Sequence, residues 1–337
     1  MNRFEYRRPV TLRDAMGAAT VPAAAILAGG TNLVDLMKYH VTQPSRVVDI
    51  NRVPGLDSIS RGEDGLRIGA LVTNAEAAAS PVVAEHHPLL ASAILAGATP
   101  QLRNMATTGG NLLQRTRCYY FYDAAMDCNK RRPGSGCPAI AGVNRIHAIL
   151  GASKSCIATH PSDMCVALAA LEAQVHVSGP NGERVIAFAD FHRLPGDTPE
   201  RDTTLEPGEV ILAVALPDAG FGANHTYLKL RDRQSYAFAL VSCAVGLRLE
   251  DGRIAQARIA LGGVAHKPWR VPEAEQLLVG HAPSEDAFAA AADRILRGAQ
   301  GHQHNRFKIG LAHGVIIRAL GQAAAGTPQS QTDKRIA

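Results

Sequence analysis

Two short segments constrain this chain more than any other feature: Gly29-Gly30-Thr31-Asn32 and Thr108-Gly109-Gly110-Asn111. Each joins a glycine pair to a threonine and an asparagine. The first follows an apolar run, Ala25-Ile26-Leu27-Ala28, that reads as a buried strand. It precedes Asn32 to Tyr39, where Leu33, Leu36 and Met37 recur at helical spacing. Strand, glycine turn, helix is the arrangement in which backbone N–H groups at a helix start hold a phosphate. Glycine lets the backbone approach a pyrophosphate, and hydroxyl and amide side chains add donors. One such turn is an ordinary loop. Two of the same composition point to a dinucleotide. Neither matches G-x-G-x-x-G and neither runs into Lys-Ser/Thr, which excludes the Rossmann fingerprint and the P-loop.

The second constraint is cysteine. Four of the six, Cys118, Cys128, Cys137 and Cys156, fall in one stretch, separated by nine, eight and eighteen residues. That spacing matches neither zinc fingers nor ferredoxins. By itself it leaves a shared metal or cluster and a set of inert or redox-active thiols both open. A Pro133-Gly134-Ser135-Gly136 turn between Cys128 and Cys137 can fold the chain back on itself. Cys165 and Cys243 lie in an apolar helix and an apolar strand and read as small core residues. His160, before Pro161-Ser162-Asp163, reads as a structural turn histidine, with a ligand or acid/base role the alternative. Tyr119-Tyr120-Phe121-Tyr122 reads either as a shield over a metal group or as a packed strand or interface patch.

The 337 residues carry a net charge of +5, and the excess is local. From Gln114 to Cys156 there are seven Lys or Arg against two Asp. No groove-reading motif accompanies them, so no nucleic-acid partner is expected. They are suited to offsetting an anionic cluster and a neighbouring anionic cofactor. No run approaches the roughly 18 apolar residues of a membrane span. Met1 to Val10 is polar and lacks the apolar core of a signal peptide. Taken alone, the chain reads as cytoplasmic.

Later in the chain, Met164 to Glu172 reads as an amphipathic helix. Pro217 to Asn224 reads as a linker. Beyond it, Thr226–Leu230, Ala239–Leu249 and Ile254–Gly262 read as three strands, with Asp251-Gly252 as a hairpin turn. Helices follow at 274–278, 287–297 and 307–325.

Over residues 2 to 325 the chain resembles the FAD-binding medium subunit of the molybdenum hydroxylases, the group of xanthine dehydrogenase and carbon monoxide dehydrogenase. Phe4-Glu5-Tyr6-Arg7-Arg8-Pro9, Leu27 to Leu33, Val48-Asp49-Ile50, Thr108 to Leu112, Leu205-Glu206-Pro207-Gly208-Glu209 and Ile259 to Ala265 carry the likeness. The resemblance implies an α+β architecture: a two-part FAD-binding fold of the PCMH type, then a small α/β C-terminal domain with a three-stranded sheet and helices. Its divisions would be 1–57, 58–217 with an insertion at 114–158, 224–325, and a disordered tail at 326–337. FAD would contact Ala28, Gly29, Gly30, Thr31, Asn32 and Leu33, and Thr107, Thr108, Gly109, Gly110 and Asn111. Asp163, Lys229 and Tyr236 would complete the flavin site.

Most relatives run almost directly from the second glycine turn into the segment that begins here near Asp163. In this chain Asn111 and Asp163 are 52 positions apart, and the four clustered cysteines lie between them. The insertion is similar to that of the periplasmic aldehyde oxidoreductase FAD subunit, through Arg117-Cys118, Cys128-Asn129-Lys130-Arg131, Pro133 to Cys137 and His147-Ala148-Ile149. In that subgroup the insertion carries a 4Fe–4S cluster, so Cys118, Cys128, Cys137 and Cys156 are the implied ligands. The flavin subunit of 4-hydroxybenzoyl-CoA reductase has such an insertion too. The resemblance further implies a 2Fe–2S small subunit and a molybdenum-cofactor large subunit as partners, an external electron acceptor, and a periplasmic location reached by co-export with a partner. Tyr236 stands about where xanthine dehydrogenase has an acidic run beside docked NAD, which puts NAD as that acceptor in doubt.

Overall fold

The computed structural model describes residues 1–63, 65–218 and 220–331. Three sheets organise them. The first is parallel, in the order β1-β3-β2, from β1 (Glu5–Arg7), β2 (Ala24–Leu27) and β3 (Arg46–Asp49). Two helices cross over between these strands. Leu12–Ala19 starts at Thr11, whose hydroxyl accepts from Asp14 N at 3.1 Å. Leu33–Lys38 follows the first glycine turn directly.

The second sheet is antiparallel, in the order β4-β5-β8-β6-β7: β4 (Ile59–Gly62), β5 (Gly65–Gly69), β6 (Gln174–Gly179), β7 (Gly182–Ala187) and β8 (Val210–Leu216). β5 pairs with β8 only after a long excursion, which holds the second glycine turn and the cysteine insertion. The third sheet has the order β12-β11-β10-β9: β9 (His225–Leu230), β10 (Val241–Glu250), β11 (Arg253–Gly262) and β12 (Trp269–Arg270). It has four strands rather than the expected three, because Trp269–Arg270 adds a two-residue edge to β11. Asp251 and Gly252 both have positive φ, 50° and 74°, as a tight β10–β11 hairpin requires.

Helix Asp163–Ala170 was expected to be amphipathic, yet all eight of its residues are buried. The reason is its position. It packs against helix Pro88–Ala96 on one side and against β10 and β11 on the other. A helix enclosed on every side is apolar all round. The far face of the third sheet is covered by helices Glu285–Ile295 and Phe307–Ala324, which build a separate core with β10 and β11.

The tail departs from the expectation of disorder as far as it is described. Gln331 Nε2 donates to the Tyr227 carbonyl at 2.9 Å, and Gln329 N donates to Thr226 Oγ1 at 2.9 Å. Residues 332–337 of the expected tail lie outside the described residues. Among the described residues no helix is long and apolar enough to cross a membrane.

Candidate functional site

The two glycine turns meet across one cavity of about 270 Å³. Ala28 to Leu33 line it from one side, and Thr107, Gly109 and Gly110 from the other. Through Thr31, Asn32 and Gly110 it joins a second cavity of about 200 Å³, which Asn111, Asp163, Lys229 and Tyr236 also line. Thr108 lines neither. It points inward, where its hydroxyl donates to the Val72 carbonyl at 3.0 Å.

The turns differ in what their N–H groups do. In the second, Thr108 N donates to Val72 O and Gly109 N to Ala70 O, both at 2.8 Å. Gly110 N donates to Thr107 Oγ1 at 3.2 Å, and Asn111 N to Thr107 O at 2.8 Å. Those four donors are consumed in docking a one-turn helix, Thr108–Leu112, onto the second sheet. In the first turn, none of the N–H groups from Gly29 to Leu33 has a partner among the described residues. Asn32 also keeps a buried, unpartnered Nδ2, while its Oδ1 accepts from Arg115 N at 3.1 Å. Five adjacent donors and an orphaned amide suit an anion.

The glycines answer first to the protein's own backbone. A Cβ on Gly29 would lie 1.7 Å from the Met105 carbonyl oxygen. Gly30 has φ +72°, a left-handed value that favours glycine. Both features let the first turn pass close to the segment that leads into the second.

Asp163 is held from two sides. Lys229 Nζ donates to Oδ2 at 2.7 Å and Tyr227 OH donates to Oδ1 at 2.7 Å. Lys229 also reaches the Ala96 carbonyl, and Tyr227 the Ser242 hydroxyl at 3.0 Å. Burial, with the Asp163 charge beside it, pushes the Tyr227 hydroxyl well above its ordinary range, so it stays a donor. Ser162 donates to Asn111 Oδ1 at 2.5 Å, and Asn111 Nδ2 donates to Asn74 at 2.8 Å. One network therefore ties the second turn to helix Asp163–Ala170. Tyr236, by contrast, is 75% exposed at φ +54°, with its carbonyl accepting from Arg233.

Beyond this cleft the four cysteines line one small cavity, with Phe121 and His147 in its wall. Gly134 and Gly136, at φ +84° and +109°, turn the chain between Cys128 and Cys137. Asn129 N donates to Gly136 O at 2.9 Å, Gly136 N returns to Asn129 Oδ1 at 2.8 Å, and Cys128 N donates to Ser135 Oγ at 3.0 Å. Tyr119–Tyr122 is a single helical turn, not a strand, and Phe121 is its buried member. Cys118 Sγ lies 3.0 Å from His147 Nε2. Burial pushes the Cys118 thiol up to about 12 and the Cys156 thiol up to about 11, and raises Cys137. A third cavity, lined by Tyr119 and His160, adjoins the cleft through Arg117, Asp163 and Phe238.

The basic residues of the insertion are largely spoken for. Arg115 and Lys130 both pair with Asp202, and Lys130 adds the Pro199 carbonyl and His266 Nε2. Opposing the cost of burial, those two cations hold the Asp202 carboxyl well below its usual range. Arg131 donates to four backbone carbonyls between Tyr120 and Met126. Arg145 pairs with Asp232. Arg117 instead lines the cleft, stacked over Phe238 at 4.8 Å. Tyr227, Ser242, Asn74, Lys130 and His147 were not legible as site residues, because each acts through a partner distant in the chain.

These features define a class. Residues 2–219 match the FAD binding domain in molybdopterin dehydrogenase, and residues 225–323 match the CO dehydrogenase flavoprotein C-terminal domain. The chain belongs to the family of FAD-binding medium subunits of molybdenum hydroxylases, which are oxidoreductases. It is 49% identical to the aldehyde oxidoreductase FAD-binding subunit PaoB of Escherichia coli K12, over 96% of this chain and 99% of that one. It is 29% identical to the carbon monoxide dehydrogenase medium chain of Hydrogenophaga pseudoflava, over 96% and 98%. The solved carbon monoxide dehydrogenase of that organism superposes with a TM-score of 0.75 at 29% identity, covering 96% and 98%. Quinoline 2-oxidoreductase of Pseudomonas putida 86 gives 0.74 at 27% identity, covering 97% and 98%.

Proposed function

We propose that this chain is the FAD- and 4Fe–4S-carrying electron-transfer subunit of a molybdenum-dependent aldehyde oxidoreductase, working between 2Fe–2S and molybdenum-cofactor partner subunits and an external acceptor. The observation that carries the reading is that Cys118, Cys128, Cys137 and Cys156 line one small cavity in a flavin domain. Likeness to an aldehyde oxidoreductase subunit over 96% of the chain supports the substrate class.

When bound, FAD and the cluster together supply coupled one- and two-electron redox chemistry. This chain's residues prepare the places for them. Gly29 to Leu33 offer N–H donors to the pyrophosphate, and Thr107 to Asn111 form the opposite wall. Asp163, held by Lys229 and Tyr227, fixes the wall toward the thiols. Lys229 and Tyr236 border the ring side of the cleft. Cys118, Cys128 and Cys156 are buried and Cys137 is half-buried, and together they would hold the cluster. Phe121 and the apolar side chains of Leu36, Ala139 and Ile157 keep water from them. Substrate oxidation belongs to the partner, so the chain alone does not oxidise aldehydes. Its place is the periplasm, reached folded with an exported partner, a reading that rests on the resemblance to the periplasmic subgroup.

The test is metal and cofactor content of the anaerobically purified chain, co-expressed with its partners. Four iron, four labile sulfide and one FAD per chain, with iron lost on Cys→Ser change at any of the four, is the expected result. Zinc or no metal with FAD retained would sink the cluster assignment and leave the flavin site standing.

A further inference from the structure

Three side chains used by none of this meet in the interior behind the second glycine turn. His160 lies just after the insertion, Cys165 in helix Asp163–Ala170, and His192 follows the short helix Phe188–Phe191. One ring nitrogen from each histidine and Cys165 Sγ all lie within 4.8 Å of one another. All three residues are buried, Cys165 completely. The rings are 4.3 Å apart, tilted by 50°.

The nitrogens are unpartnered. His192 Nε2 donates to the Leu112 carbonyl at 2.8 Å, which leaves Nδ1 as the lone-pair nitrogen, and Nδ1 has no partner. His160 Nε2 has none either. Burial pushes His192 down to about 4 and His160 well below its usual value, so both rings are neutral. Neutral imidazole is the ligand form, and a ligating histidine commonly gives its other N–H to a backbone carbonyl.

We propose that His160, Cys165 and His192 form a three-coordinate site for a soft monovalent cation, copper(I). Two imidazoles and one thiol make a soft donor set. Among the described residues no fourth His, Cys, Asp or Glu joins it, whereas structural zinc takes four ligands. Charge decides the same way. Asp202 beside this region is already paired with both Arg115 and Lys130, leaving the locality positive. A divalent ion on one thiolate would add another uncompensated buried charge, while a monovalent ion on one thiolate is neutral. Binding forms a Cu–S bond, breaks the S–H bond and releases that proton to solvent, with no change of oxidation state. Entry is from two sides, since His160 lines the cavity shared with Tyr119 and His192 lines a cleft with Phe188 and Lys267. The ion would clip the segment just after the insertion to two helices behind the second turn.

The test uses the full, FAD- and iron-loaded chain with its partners. It is titrated anaerobically with copper(I) supplied as its acetonitrile complex against a chromogenic copper(I) chelator. The parent should hold one equivalent more than its Cys165→Ala variant. Affinity at that site should fall at least about 100-fold in Cys165→Ala and in His160→Gln. The copper absorption edge should report one sulfur and two nitrogens in the parent alone. FAD and iron content, measured alongside, certify that each variant is folded. Equal copper in parent and both folded variants, or preferential zinc uptake at this site, would overturn the proposal and leave the two nitrogens to a buried water.

Discussion

The two glycine turns are nearly the same in sequence and opposite in use. The second spends its N–H groups on its own protein: Val72, Ala70 and Thr107 take all four donors from Thr108 to Asn111. The first leaves five donors, Gly29 to Leu33, without a protein partner. One turn is a wall and the other a cradle. Composition alone cannot tell a glycine that faces a ligand from one that faces another strand of the same chain.

The difference is open to attack, starting with Gly29→Ala, which should act most strongly. Its Cβ would overlap the Met105 carbonyl, so a loss of about 3 kcal/mol or more is expected in denaturant unfolding, together with loss of bound FAD. Gly109→Ala is the control from the wall, where the new Cβ meets Ala70 Cβ at 3.2 Å and the Ala70 carbonyl oxygen at 3.3 Å, so it should cost less stability than Gly29→Ala and leave FAD affinity within roughly threefold. Gly30→Ala comes next. Forcing an L side chain to φ +72° should cost about 1–2 kcal/mol and weaken FAD binding as read by equilibrium dialysis. Thr107→Ala should then separate stability from affinity. Loss of its cap on Gly110 N should cost about 1 kcal/mol while FAD affinity stays within roughly threefold. A drop in affinity as large as that of Gly30→Ala would make the second turn a ligand and dissolve the distinction.

The smallest effect is acid sensitivity confined to the first turn. Asp49 holds Asn51 through its N–H at 3.0 Å, and Asn51 Nδ2 reaches the Ala28 carbonyl at 3.1 Å. Burial pushes the Asp49 carboxyl up, but the Tyr6 hydroxyl and Asn51 N–H more than offset it, and the group lies below its ordinary 3.8. Its contribution is therefore complete above about pH 3.8 and is lost as pH falls through the depressed value. FAD retention should hold down to about pH 4 and decline in the parent below about pH 3.8, before global unfolding. In Asp49→Asn this early decline should be absent.

Local patterns carried the fold a long way. The strand, turn and helix around Gly29, the Asp251-Gly252 hairpin and the capped helix after Thr11 are all decided by neighbours in sequence. What was not legible depends on distant chain. Helix Asp163–Ala170 reads as one-sided because its second wall, β10 and β11, comes some 80 residues later. Tyr119 to Tyr122 is too short for a helical period to show. Tyr227 and Ser242 become partners of Asp163 only when the third sheet docks, and Lys130 becomes an ion-pair member only through Asp202. The Gln331 contact with β9 has no signature in a polar tail.

The cysteine insertion looks like something that could be moved between relatives as a unit, but its moorings say otherwise. Lys308 is wholly buried in the last long helix, and its amine is received by the carbonyls of His147 and Gly263. Asn305, also buried, gives its amide to the carbonyls of His147 and Ala148. Cutting out 114–158 would strand a lysine and an amide in the interior of a different domain. Grafting the loop into a relative without them would leave it unmoored. Gain or loss of this segment is therefore a change that two domains must make together, which sets the terms for any attempt to transplant it.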